Sequence, residues 1–153
     1  MKRAALLVPA LLLAAGLTGC GGDDDPKKSE ESSSAAPALS QADFLEQGNA
    51  ICAAGNEAIS TAANALGEAP GQEEIEGFTV DVLIPNVQGQ HDAIDALGAP
   101  EGDEDTVDAI LAALQDGIDA LSDDPSLITQ ADGDPFVEAN ELASDYGLTE
   151  CGS

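Results

Sequence analysis

The chain has 153 residues and a formal net charge of −26, from 30 Asp and Glu against 4 Lys and Arg. That length allows one domain with tails. The charge excludes binding to a nucleic acid backbone, which needs cations to displace condensed counterions, and ill suits anionic lipid headgroups.

The N-terminus reads as an address. Lys2 and Arg3 precede an apolar run over residues 4–17, which leads into Leu17-Thr18-Gly19-Cys20. The run is shorter than the roughly 20 residues that span a bilayer as a helix, so it is expected to be the hydrophobic region of an export signal over residues 1–19. Leu-Thr-Gly-Cys resembles the bacterial lipobox. That resemblance implies that Cys20 is diacylated and becomes the new N-terminus after cleavage; the alternative is a plain secretory signal followed by a chance cysteine. Two acyl chains on one residue would supply the double anchor that stable membrane attachment needs. Loss of residues 1–19 removes Lys2 and Arg3 and takes the net charge from −26 to −28.

Residues 20–39 are rich in Gly, Ser, Pro and charge, with almost nothing to bury, and are expected to be a flexible tether behind the lipidated Cys20. Lys27 and Lys28 are the last basic residues of the chain. Residues 40–153, the expected helical domain, hold 25 acids and no Lys or Arg.

Four helical segments are predicted there. The first opens at Ser40 with Asp43 three residues on, a capping-box-like start. Leu45, Cys52, Ile59 and Leu66 keep heptad spacing, with Gly48, Gly55 and Ala62 between them to let a neighbour approach closely. The second runs from about Gln72 to Leu97, its apolar residues in two registers separated by Pro85, which is expected to kink the helix or break it. Thr79-Val80-Asp81-Val82-Leu83-Ile84 is β-branched enough for a short strand, but no second strand exists to pair with it. The third opens on Asp103, Glu104 and Asp105, acids that suit the helix dipole. Val107, Ile110, Leu111, Leu114, Ile118 and Leu121 then mark one face. The fourth begins at Asp134-Pro135, a cap followed by proline, and ends at Gly147 with Leu148 as its apolar partner. Short loops between four helices predict an all-α fold, an antiparallel up-down-up-down bundle, with a thin core of Leu, Ile, Val and Ala.

Cys52 and Cys151 remain as an even pair in an exported chain, which favours a disulfide. Geometry agrees: helical rise puts Cys52 about 21 Å below the end of helix 1, and a descending helix 4 covers about 18 Å before Cys151. A catalytic or metal-binding thiol fares poorly, with His91 the only histidine and no Cys-x-x-Cys.

The search for chemistry returns little. The acid clusters at 23–25, 101–105 and 123–124 suggest calcium, but Asp132-Gly133-Asp134 is followed by Phe136 and Val137 where an EF-hand needs a ligand and a glycine. His91 with Asp95 lacks a third metal ligand, and His91 with Asp92 is a bare acid–base pair. No nucleophile elbow, zinc helix, phosphate loop or dinucleotide fingerprint is present. No cofactor, no metal site and no catalytic residue is expected, and the chain reads as a non-enzyme.

Asn49-Ala50-Ile51-Cys52-Ala53, Ile84-Pro85-Asn86-Val87-Gln88, the stretch from Leu97 to Glu104 and Tyr146-Gly147-Leu148-Thr149-Glu150-Cys151 together resemble small two-cysteine helical lipoproteins of high-GC Gram-positive bacteria. The resemblance implies an exported helical domain and supplies no catalytic residue. The expected function is a non-catalytic acidic module, lipid-anchored to the outer face of the cytoplasmic membrane. It would bind or space another envelope component, such as a basic protein or a cationic polymer, and touch the membrane through its lipid alone. The alternative is a low-affinity cation or small-molecule binding protein with its site among the helices.

Overall fold

A computed structural model describes residues 39–130 and 133–153. The expected signal over 1–19, the lipidation site Cys20 and the tether up to residue 38 lie outside the described residues.

Helix α1, Gln41–Ala65, starts where the Ser40 side chain accepts from the Asp43 N–H at 3.2 Å while donating to the Asp43 carboxylate at 2.6 Å. This reciprocal cap satisfies donors that the first turn leaves orphaned. The buried face of α1 is Phe44, Gly48, Cys52 and Gly55. Gly48, Cys52 and Gly55 belong to the expected seam, while at its start Phe44 is buried in place of Leu45, and Ile59 and Leu66 are only half-buried. The expected close approaches occur at both glycines. A Cβ at Gly48 would lie 2.6 Å from a Leu148 methyl, and one at Gly55 would strike the Gln90 side chain.

The second helical run is continuous from Gln72 to Asp95 and has three parts: α2, Gln72–Phe78, a π-helical turn over Thr79–Leu83, and α3, Ile84–Asp95. Pro85 explains the middle part. In an α-helix its ring would clash with the carbonyl four residues back. Here the Ile84 N–H reaches the Thr79 carbonyl five residues back, which widens the turn ahead of the proline. Thr79 is wholly buried, with its hydroxyl donating to the Ile75 carbonyl at 2.9 Å. Among the described residues there is no β-strand.

Helix α4, Glu104–Asp123, buries Val107, Ile110, Leu111, Ile118 and Leu121, the face expected from the sequence, with Leu114 half-buried. Gly117 is buried too, under the Phe136 ring and 2.8 Å (for an added Cβ) from the Pro135 carbonyl oxygen. After a 3-10 turn at Pro125–Thr129 the chain enters α5, Val137–Tyr146. The helix starts three residues after the expected Asp134-Pro135 cap, because Asp134 accepts from the Phe136 N–H at 2.9 Å and closes a turn ahead of α5 instead. At the other end Gly147 takes φ 109°, its N–H bonding to Ser144 while the Leu148 N–H bonds to Ala143. This is a Schellman termination. It drives Leu148 to zero exposure, worth about 2 kcal/mol for a side chain of that size.

The core draws on the first half of α1, the end of α3, the first half of α4 and the end of α5: Phe44, Cys52, Ile94, Val107, Ile110, Leu111, Ala143 and Leu148. α1 packs on α3, α3 on α4 and α4 on α5. Among the described residues no helix is long and apolar enough to cross a membrane.

Candidate functional site

Cys52 and Cys151 form a disulfide, with Cα atoms 5.0 Å apart across a sequence separation of 99. Polar side chains of α1 flank the bridge and hold the C-terminal segment by its backbone. Asn49 donates to the Gly147 carbonyl at 3.1 Å and accepts from the Glu150 N–H at 2.9 Å. Asn56 donates to the Glu150 carbonyl at 2.7 Å and to the Ser153 hydroxyl at 3.5 Å. Residues 49, 52 and 56 share one face of α1, so the bridge and both amides address the same turn of chain.

Tyr146 adds a second tie. Its ring meets Phe44 edge to face at 6.1 Å, and its hydroxyl donates to the Asp103 carboxylate at 2.8 Å. Burial and then the negative charge of Asp103 push the phenol up to about 12.

Beside this latch lies a partly enclosed cavity of about 260 Å³ between α1, α3, α4, α5 and the 3-10 turn. Its walls are mostly aliphatic, with Ile59, Val87, Leu114, Ile128 and Phe136 among them, and the disulfide forms part of one side. The polar groups on it are the amides of Asn56, Gln90 and Asn140, the Ser153 hydroxyl and the Asp134 carboxylate. No Lys or Arg exists in residues 40–153 to give it a positive charge. Natural interiors hold few voids larger than a water molecule, and an engineered apolar cavity of ~150 Å³ takes up benzene. The arrangement can therefore receive an apolar body and hydrogen-bond its polar end. It does not assemble a nucleophile with a base: the cysteines are bonded, Ser153 donates to Glu150, and His91 is not among the lining residues.

The acidic cluster at 23–25 lies outside the described residues, and in each of the other two a carboxylate serves a nearby backbone N–H. Glu104 accepts from the Gly102 N–H at 2.7 Å, and Asp124 accepts from the Ser126 N–H at 3.0 Å. Asp134 holds the turn ahead of α5 through the Phe136 N–H. His91 engages Asp92 at 3.0 Å, not Asp95. Hydrogen bonds from Gln88 and then His91 hold the Asp92 carboxyl below the usual range. Among the described residues no three His, Cys, Asp or Glu side chains are grouped to hold a metal ion.

The sequence reading located the bridge and the glycine cap but gave Asn49 and Asn56 no task. Their spacing about Cys52, three residues before and four after, is the signal that pointed to it. The cavity left no signal, since its walls are the same aliphatic residues that build a core.

No family model, no curated protein and no solved structure matches this chain.

Proposed function

We propose that the mature chain is a lipid-anchored, non-catalytic acidic helical module at the outer face of the cytoplasmic membrane, binding or spacing another envelope component. The export signal over 1–19, the lipobox ending at Cys20 and the Gly-, Ser-, Pro- and charge-rich tether support the anchoring. The observation that carries the binding role is the charge of residues 40–153, where 25 acids face no Lys or Arg. Such a surface attracts a basic protein or a cationic polymer and accelerates encounter with it. In this reading the helices form an antiparallel four-helix bundle with its second helix kinked near Pro85. The convergence of opposite helix ends on one core supports that arrangement.

Intact cells test the reading. Metabolic labelling with an alkyne fatty acid should mark the wild-type chain and not Cys20→Ala, and cross-linked wild-type should retain a cationic partner that is released as salt rises. Equal labelling of both chains defeats the anchor, and salt-insensitive capture defeats the electrostatic partner.

A second reading, binding of a small molecule among the helices, is favoured by the cavity of about 260 Å³.

A further inference from the structure

We propose that the cavity is a binding site for a small organic cation, a protonated amine carried on a hydrocarbon body somewhat larger than benzene. The proposal rests on the second reading above and names its ligand class.

The apolar part follows from the aliphatic walls and Phe136. The charge follows from how the polar groups are already engaged. Asn56 has two N–H donors, and both are directed into the protein, to the Glu150 carbonyl and the Ser153 hydroxyl. Gln90 directs an N–H to the Asn86 side-chain oxygen at 2.8 Å. The Ser153 hydroxyl donates to the Glu150 carbonyl at 3.0 Å. Gln90 and Asn140 also carry further N–H donors, so the amides can donate to a ligand as well as accept from it. Asp134 adds a carboxylate that uses one oxygen on the Phe136 N–H and keeps the lone pairs of the other. A rim whose one charged group is a carboxylate, with no Lys or Arg, selects a cationic N–H donor. It disfavours a carboxylate or phosphate, which would face the Asp134 charge with no cation to balance it.

The test uses the full chain, bridge intact, in phosphatidylcholine nanodiscs, with empty discs as the blank. Three isosteric probes are titrated: 2-phenylethylammonium, 2-phenylethanol and 3-phenylpropanoate. Binding is followed by the amide resonances of Ala139, Asn140 and Ala143. The ammonium should bind at least tenfold tighter than the alcohol, and the carboxylate weakest. Asp134→Asn keeps an oxygen to accept from the Phe136 N–H and should erase most of the preference for the ammonium over the alcohol. Leu114→Trp, or Val87→Phe should that variant unfold, should fill the space and abolish binding of all three.

Equal affinity for ammonium and alcohol, unchanged by Asp134→Asn, overturns the cation assignment and leaves the second reading standing. No binding of any probe to the wild-type chain, or resonance shifts lying away from Ala139, Asn140 and Ala143, overturns both.

Discussion

The first half of α1 buries Phe44, Gly48, Cys52 and Gly55, whereas from Asn56 to Ala65 no residue of the helix is buried. The difference lies in what each half meets. Up to Asn56 the helix faces the C-terminal segment, which it holds by a disulfide, amide clamps and the fully buried Leu148. Beyond it the helix borders the cavity and the exposed loop at 66–71. A chain with few aromatics thus concentrates specific, directional ties at one end. At the other it accepts looser packing, and the cavity opens where the two meet, between the disulfide with Asn56 and the next turn at Ile59.

Breaking the latch should cost most. In a chain-entropy description, a loop of about 100 residues closed by a disulfide is worth about 4.7 kcal/mol, comparable to the stability of a small domain. Cys52→Ala with Cys151→Ala should therefore unfold near or below ambient temperature, as followed by circular dichroism. A loss under about 1 kcal/mol would move the weight of stability elsewhere. Asn49→Ala removes two hydrogen bonds to the C-terminal backbone and should cost about 2 kcal/mol in urea unfolding. A cost that vanishes in the disulfide-free background would show that clamp and bridge act as one unit.

Glycines sharpen the same contrast. Gly117→Ala presses a methyl into the Phe136 ring and the Pro135 carbonyl, and should destabilise by about 1–2 kcal/mol. Gly89→Ala, on open α3 surface with nothing within 4 Å, should stabilise by about 0.5–1 kcal/mol through helix propensity. Paired thermal melts check the opposite signs.

The smallest effect belongs to Tyr146 and appears at high pH. Its folded pKa of about 12 lies above the ordinary tyrosine value of 10.0. The neutral phenol is therefore favoured by folding, and the contribution is whole below pH 10. It is lost as pH rises through about 12. Tyr146→Phe should melt slightly lower at pH 8 and lose less stability than wild-type between pH 10 and 12. Parallel alkaline profiles would show that the Asp103 bond contributes nothing to the shift.

What was legible in the sequence was what depends on near neighbours along the chain. The Ser40 cap, the apolar face of α4 and the Gly147–Leu148 termination are written in spacings of three or four residues, and all three are in place. The Cys52–Cys151 pair was legible from compartment and parity. Phe44 was not, because a heptad rule applied from Leu45 finds Gly48, Cys52 and Gly55 but passes over the residue one turn before Gly48. The π-helical turn was also hidden. Pro85 announces a disturbance, yet whether a helix breaks or widens by one residue depends on the packing of buried Thr79. Gly117 against Phe136 is a tertiary fit between positions 19 apart, with no local pattern to announce it.

The bridge also decides what a protease can achieve. Every loop between the described helices, at 66–71, 96–103 and 124–136, lies between Cys52 and Cys151 and so within one covalent ring. A single cut in any of them opens the ring without releasing a fragment, and the severed ends stay tethered at the same local concentration as before. Only cleavage N-terminal to Cys52 would shed the domain from whatever holds the chain's beginning. Within the described residues, shedding is opposed along α1 ahead of that cysteine, where Phe44 and Gly48 are buried.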